Sequence, residues 1–400
     1  MEMLDLLETI RAEEASVSRL FSGEGTGVHA FRDGRPNKAG YLKQLEEATR
    51  FVAQVYAGKR PVYQLREAMG TSDFPYLFGD IIDRQLWANY QAWPKVLGSY
   101  CKEATVSDFR TVKRFAVNYG EAVLAEVQQQ TEYPEAKLAD AVYQYAVKKY
   151  GRRMPFAWEA MVNDDLDALK DVPARFGKAA ARSEEKFATQ LHVDANGPHA
   201  SVYTSGNKNL VNATNAGAGW TAVNPPLSIL ALQEAMVVLA NQTDLDGEPI
   251  FVEAVTLEVP PALEVTAQNI LNATELWLDS NNSAGTANQR LITANWMKGR
   301  VKLVVNPYIP IVATTNGGTT WFLHADPNGS VRPAFEFGRL RGHEAPEVFI
   351  KQPNQARVGG GIDPMNGDFD TDSIEYKVRH VFGGVAGDPK MTVGSNGSGA

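Results

Sequence analysis

Asn163-Asp164-Asp165 sets two carboxylates side by side, the residue types that acid-base catalysis or Mg²⁺ coordination would use. The same residues suit the start of a helix, where Asn and Asp cap free amides and the helix dipole favours negative charge. Capping is the preferred reading. Asp244-Leu245-Asp246-Gly247-Glu248 resembles the opening of a calcium loop but lacks the later bidentate Glu, so a helix-to-strand turn accounts for it better. The six histidines, at 29, 192, 199, 324, 343 and 380, form no His-Glu-x-x-His or similar pair. Cys101 is the only cysteine. It could be a nucleophile, but a small buried hydrophobe is its commoner role. Gly359-Gly360-Gly361 follows no strand-to-helix dinucleotide pattern, no phosphate loop is present, and the terminal Ser and Gly run is no nucleophile elbow. No catalytic, cofactor-binding or metal-ligating residue is therefore assigned. A chain this long without a convergent site fits a structural role better than an enzymatic one.

Four hundred residues with 44% hydrophobic and 22% charged side chains suffice for one large or two medium cores. The net charge of −8, with Lys and Arg dispersed, is not built to neutralise phosphates. Such a protein tolerates nearby DNA without gripping it. A single cysteine excludes an intrachain disulfide and permits assembly in a reducing cytoplasm. No run of eighteen apolar residues offers a membrane span, and the acidic start Met1-Glu2-Met3-Leu4-Asp5 is not a signal peptide.

The elements that must carry any function centre on Phe109 to Leu191. Ala141, Tyr143, Tyr145 and Val147 alternate with Asp140, Gln144 and Lys148, the period of a strand. A preceding arm is read at Asn118–Gln128, and Gln129–Glu135 between them reads as an exposed tip. A ribbon of this kind either folds back on its own domain or pairs with another chain. After Asn163-Asp164-Asp165, Phe176, Ala180, Phe187 and Leu191 recur at helical spacing, with Arg182, Glu184, Glu185 and Lys186 between them. This predicts a solvated helix with one apolar stripe over Pro173–His192, Pro173 in its first turn and Asp194-x-Asn196-Gly197-Pro198 closing it.

Elsewhere, helices are expected at Met3–Phe21 and Lys38–Ala57 with a polar linker, Ser22–Asn37, between them. The aromatic run Phe74, Tyr76, Phe78, Trp87, Tyr90, Trp93 and Tyr100 suits packing better than stacking on sugars or bases. Gly197–Asn224 and Leu278–Gln289 read as surface loops and Pro226–Ala240 as a buried helix. Pro249–Val259 reads as a strand and Ala262–Leu271 as a helix. Further strands are expected at Val301–Val305, Thr319–Leu323, Val348–Lys351 and Ile374–Phe382. Gly394–Ala400 should fray unless a neighbouring molecule pins it.

Taken in order, Ser107-Asp108-Phe109-Arg110, Asn163-Asp164-Asp165-Leu166, Asp246-Gly247-Glu248-Pro249-Ile250, Val259-Pro260-Pro261-Ala262-Leu263-Glu264, Thr320-Trp321-Phe322-Leu323 and Tyr376-Lys377-Val378-Arg379-His380 resemble tailed-phage major capsid proteins, nearest the Mu-type head subunits. The resemblance covers about Ser72 to Thr392. It implies the α+β Hong Kong 97-type capsid fold: an N-terminal arm (1–70), a helix-rich aromatic segment (71–116) and an extended β-hairpin loop (117–150). A peripheral domain (151–224 and 353–400) with a spine helix at 173–193 and a mixed α/β axial domain (225–352) complete it.

It further implies a subunit that self-assembles into hexamers and pentamers around a double-stranded DNA genome, in the virion, after assembly in the host bacterial cytoplasm. Portal, scaffold or decoration proteins would be its other partners; no cofactor, membrane or specific DNA contact is implied. Some relatives are cross-linked through a Lys–Asn isopeptide bond. Lys137, Lys148 and Lys149 fall on the expected ribbon, but no motif sets an Asn opposite, and that chemistry is not carried over. N-terminal processing, known in many relatives, is put in doubt by Met1. Two alternatives stay open on sequence alone: an encapsulin-like nanocompartment shell, and a carbohydrate-active or carbohydrate-binding protein suggested by the aromatic cluster.

Overall fold

The computed structural model describes residues 39–57, 59–60, 64, 68, 74–118, 127, 139–157, 166–212, 215, 221–243, 247, 249–279, 290–329, 333–352, 354–355 and 367–399. In chain order its elements are α1 (Ala39–Tyr56), α2 (Phe74–Ala92), β1 (Cys101–Val106), β2 (Val112–Asn118), β3 (Ala139–Tyr145), β4 (Lys148–Ala157) and α3 (Leu166–Gln190). There follow β5 (Val193–Asp194), β6 (Gly197–Pro198), α4 (Ile229–Ala240), β7 (Ala254–Val259), α5 (Glu264–Asn272), β8 (Glu275–Asp279), β9 (Arg290–Ala294), β10 (Lys302–Val305) and α6 (Ile309–Val312). The last are β11 (Trp321–Ala325), β12 (Phe335–Leu340), β13 (Glu347–Ile350), β14 (Ser373–Ala386) and β15 (Thr392–Ser395). The expected α+β class holds. The described residues divide into two compact units, one within Met1–Pro94, Lys148–Ser183 and Leu340–Phe382, the other within Lys95–Val147, Glu184–Arg339 and Gly383–Ala400.

In the first unit, Leu45, Ala48, Val52 and Val55 recur along α1 at helical spacing and are buried. They pack with Ile81 and Leu86 of α2 and Val172 and Phe176 of α3 against Ile374, Tyr376 and Val378 of β14. Each such burial is worth about 1.5–3 kcal/mol. The alternation expected of β14, with Ile374, Tyr376, Val378, His380 and Phe382 against Glu375, Lys377, Arg379 and Val381, holds as far as His380: the first set is buried and Glu375, Lys377 and Arg379 are not, but Val381 is buried as well. The strand pairs antiparallel with β4, from Ser373↔Ala157 to Phe382↔Lys148, and with β13, from Glu347↔Arg379 to Ile350↔Tyr376. Gly177 lets α3 approach α2 closely, because a Cβ there would stand 2.6 Å from the Leu86 carbonyl oxygen.

The second unit holds a four-stranded sheet ordered β10-β7-β11-β15. β10 and β7 are parallel, so a crossover through α5 and the β8–β9 hairpin joins them. β11 runs antiparallel to β7 and to β15. Leu257, Val259, Trp321, Phe322, Leu323 and Val393 fill its core. Ser228 caps α4 by accepting the Ala231 amide at 3.1 Å.

Several expectations need correction. Among the described residues the segment paired with β3 is Val112–Asn118, in register from Val112↔Tyr145 to Asn118↔Ala139, so the ribbon begins before the expected arm; that arm, Asn118–Gln128, lies outside the described residues except for Asn118 and Val127. Lys148 and Lys149 belong to β4, not to the ribbon. The long helix starts before Pro173, which stands inside it and withholds one backbone donor. Its Glu184 and Glu185 are buried, not solvated. The loop after β6 is drawn inward where Asn209 donates to the carbonyls of Val202 (2.9 Å) and Pro389 (3.0 Å), a side chain doing the work of a ladder. The C-terminal stretch is held by its own chain: Ser395 Oγ donates to the Pro225 carbonyl at 2.7 Å and the Gly399 amide to that of Asn224 at 2.9 Å. β1, β12 and the β8–β9 pair were not expected. The expected helix at Met3–Phe21, the linker Ser22–Asn37, the ribbon tip, Asn163-Asp164-Asp165 and Gly359-Gly360-Gly361 lie outside the described residues.

Candidate functional site

Glu258 on β7 is fully buried, which for a carboxylate demands partners. They arrive from three other segments. His324 of β11 brings Nε2 to 2.9 Å from Oε2, and Asn306, just after β10, donates from Nδ2 to Oε1 at 2.6 Å. His192, just after α3, brings Nε2 to 3.0 Å from Oε2 at an angle too oblique for a hydrogen bond, so neither of its ring nitrogens has a hydrogen-bond partner. Tyr100, Phe322 and Phe335 pack round the two imidazoles. Burial would raise the Glu258 pKa, but the two imidazoles outweigh it and hold the carboxyl well below its usual range. Burial lowers that of His324, against the pull of Glu258.

A second polar group sits along the last turns of α3. Glu184 accepts from Lys95 Nζ (3.2 Å) and Arg339 Nε (3.1 Å), and Arg339 also reaches Glu103. Glu185 instead caps backbone: its Oε1 accepts the amides of Val96 (3.0 Å) and Leu97 (3.3 Å) at the start of a 3-10 turn. Those bonds only partly offset burial, which pushes its carboxyl up to about 7.

Two features face outward. The β2–β3 ribbon is a two-stranded sheet of its own. It is anchored at its base, where Tyr145 Oη (2.6 Å) and Arg114 Nε (2.8 Å) both donate to Glu336 of β12. The other is a groove of about 700 Å³ lined by Met236, Val237, Phe251, Val252 and Trp296, with Arg300 and Glu253 at its edge. Phe251 is 88% exposed and Trp296 43%. Phe251 also holds φ at +55°, a conformation unfavourable for a bulky side chain. Large apolar side chains displayed together mark a contact surface.

Residues 141–394 match the family of phage capsid proteins. The chain belongs to that family. This capsid protein is a subunit of the phage head, and its place is the virion. No curated protein matches it. It is similar to a solved chain of Mycobacterium phage Ogopogo (13% identity, TM-score 0.42, covering 76% of this chain and 93% of that one). It is also similar to the asymmetric unit of the bacteriophage PhiM1 mature capsid (10%, 0.42, 76% and 86%) and to the capsid of cyanophage P-SCSP1u (12%, 0.39, 75% and 87%).

Of the residues singled out by sequence, Tyr145 and Val147 of the capsid protein are buried as the alternation requires, and Tyr90 and Tyr100 pack inside. Cys101 is buried, with its thiol pKa raised by burial. Histidines 192 and 324, dismissed for their spacing, are brought together by β11 and the end of α3 on a carboxylate 66 residues from each of them in sequence. The one available signal was a Glu inside the otherwise apolar run Leu257–Val259, since a charge in a buried strand needs a partner. Phe251 and Trp296 were missed as surface residues because each lies beside buried neighbours in sequence.

Proposed function

We propose that the subunit self-assembles into hexamers and pentamers that close an icosahedral head around double-stranded DNA, and that its role is structural rather than enzymatic. The observation that carries this reading is the β2–β3 ribbon, a two-stranded sheet of a kind that is marginal alone and is stabilised by further packing. Residues 117–150 are read as the loop that lies on a neighbouring copy, and 1–70 as an arm over adjacent subunits. Residues 151–224 and 353–400, with α3 (Leu166–Gln190) as the spine helix, are read as the peripheral domain, and 225–352 as the axial domain round the fivefold and sixfold axes. The groove at Phe251 is read as a second contact with a copy. Together such heterologous contacts bury on the order of several thousand Å² per subunit. The net charge of −8 supports a shell that repels phosphate and leaves packaged DNA mobile. Assembly takes place in the host cytoplasm, with portal and scaffold or decoration proteins as further partners.

Deletion of Gln128–Lys137 tests the role of the ribbon. The expected product is a folded, soluble subunit that forms no stable shells under the electron microscope. Normal shells from the deletion overturn it.

A further inference from the structure

Three donor atoms, His192 Nε2, Glu258 Oε2 and His324 Nε2, lie within 4.8 Å of one another inside the second unit, and all three side chains are buried. The two nitrogens stand 3.0 and 2.9 Å from the same carboxylate oxygen. Ligands of a tetrahedral ion with bonds of 2.0–2.2 Å are separated by roughly 3.3 Å; both nitrogen–oxygen separations fall a few tenths of an ångström short of that and the two nitrogens stand within 4.8 Å, so modest side-chain shifts would seat one.

The surroundings are those of a ligand set. Asn306 occupies Glu258 Oε1 and leaves Oε2 to the cluster. Asn306 is itself fixed by donating to Thr189 Oγ1 at 2.9 Å. Thr392 Oγ1 lies 2.9 Å from His324 Nδ1 and within 3.4 Å of the Leu323 carbonyl. With the one hydroxyl hydrogen directed at that carbonyl, the oxygen accepts from Nδ1–H and Nε2 presents a lone pair, the tautomer a metal requires. Tyr203 completes the arrangement at 2.8 Å from the same hydroxyl. His192 supplies the independent observation: fully buried, it has no hydrogen-bond partner on either ring nitrogen. Among the described residues no Lys or Arg pairs with Glu258, so with both imidazoles neutral, as metal ligands must be, a cation at Oε2 would supply the positive charge that the buried carboxylate needs.

We propose that His192, Glu258 and His324 bind one divalent transition-metal ion of the zinc class, held within each subunit. Two imidazoles and a carboxylate suit zinc and leave a fourth position for water. The ion ties the end of α3 to β7 and β11, and its binding energy adds to that of folding.

The test is the metal content of untagged full-length protein, purified without chelators from zinc-supplemented cells and measured by inductively coupled plasma mass spectrometry. About one zinc per subunit is expected, falling at least about tenfold in His324→Gln. Wild-type protein carrying only background metal overturns the proposal, which leaves the cluster as a hydrogen-bonded network with Thr392 donating to Nδ1. Zinc retained undiminished in His324→Gln overturns it too, because the ion then lies elsewhere. Should that variant fail to fold, wild-type protein refolded with Co²⁺ decides: visible absorption bands of a tetrahedral nitrogen–oxygen site support the proposal, and their absence refutes it.

Discussion

Two parts of the second unit reverse the usual distribution of polarity. Inside, the β7–β11 ladder encloses a carboxylate, two imidazoles and a carboxamide. Outside, the groove bordering α4 displays Phe251, Val237 and Trp296 to solvent. Every partner of Glu258 comes from its own chain, whereas Phe251 is left almost wholly to solvent and Val237 and Trp296 are only partly covered, the latter by Arg300. The interior is complete in one polypeptide and the surface is not. A shell subunit needs this division, since it must fold before it meets a copy yet keep apolar surface for that copy.

The largest effect should come from breaking the inner member of the pair. Trp321→Ala removes a fully buried indole and its Nε1 bond to the Pro225 carbonyl, and should cost about 3–5 kcal/mol in denaturant unfolding. A loss below about 1 kcal/mol would mean that the ladder is not the stabilising core. Next comes Glu185→Gln, which keeps an oxygen for the Val96 and Leu97 amides and removes the charge. Glu185 titrates near 7 when folded against 4.5 otherwise. The folded state therefore holds the extra proton in that window, and stability falls as pH rises from 4.5 to 7. At pH 8 the variant should be more stable than wild type by up to about 3 kcal/mol, and the difference should vanish near pH 4. A pH-independent difference would show that the carboxyl is not the source.

In the first unit, Gly177→Ala extends the contrast to close packing. The added methyl meets the Leu86 carbonyl oxygen at 2.6 Å and should cost about 1–3 kcal/mol, less the helix-propensity gain. A stabilised variant would show that α2 and α3 yield easily. The smallest effect on the subunit itself is expected from Phe251→Gly on the outer face, which changes unfolding by no more than about 0.5 kcal/mol because the lost side chain was exposed and φ there is positive. Its consequence should be seen by electron microscopy as impaired shell formation. A marked destabilisation with normal shells would erase the distinction between the two faces.

What could be read from sequence tracks how local the determining physics is. β14 was legible because one face packs on the core and its alternation survives from Ile374 to His380, failing only at Val381, which is buried too. α1 was legible from helical spacing. β12 was not, since Gly338 interrupts Phe335–Leu340; a Cβ there would stand 2.6 Å from the Tyr145 hydroxyl, so the glycine marks a close approach rather than a break. Glu184 read as solvated because Lys95 and Arg339, which justify its burial, lie 89 and 155 residues away, and Glu185 because the Val96 and Leu97 amides that it caps lie 89 and 88 residues away. For the same reason the histidine cluster was invisible, its members meeting only once strands from distant segments are paired.

β15 gives the fold a direction in time. It closes the sheet by pairing Thr392–Ser395 with Trp321–His324, and Thr392 is the residue that orients His324. A ribosome must release residue 395 before that edge can form, so nascent chains stalled anywhere earlier lack a finished core. Prematurely terminated products should consequently be less stable than the whole chain, lacking the strand that closes the sheet.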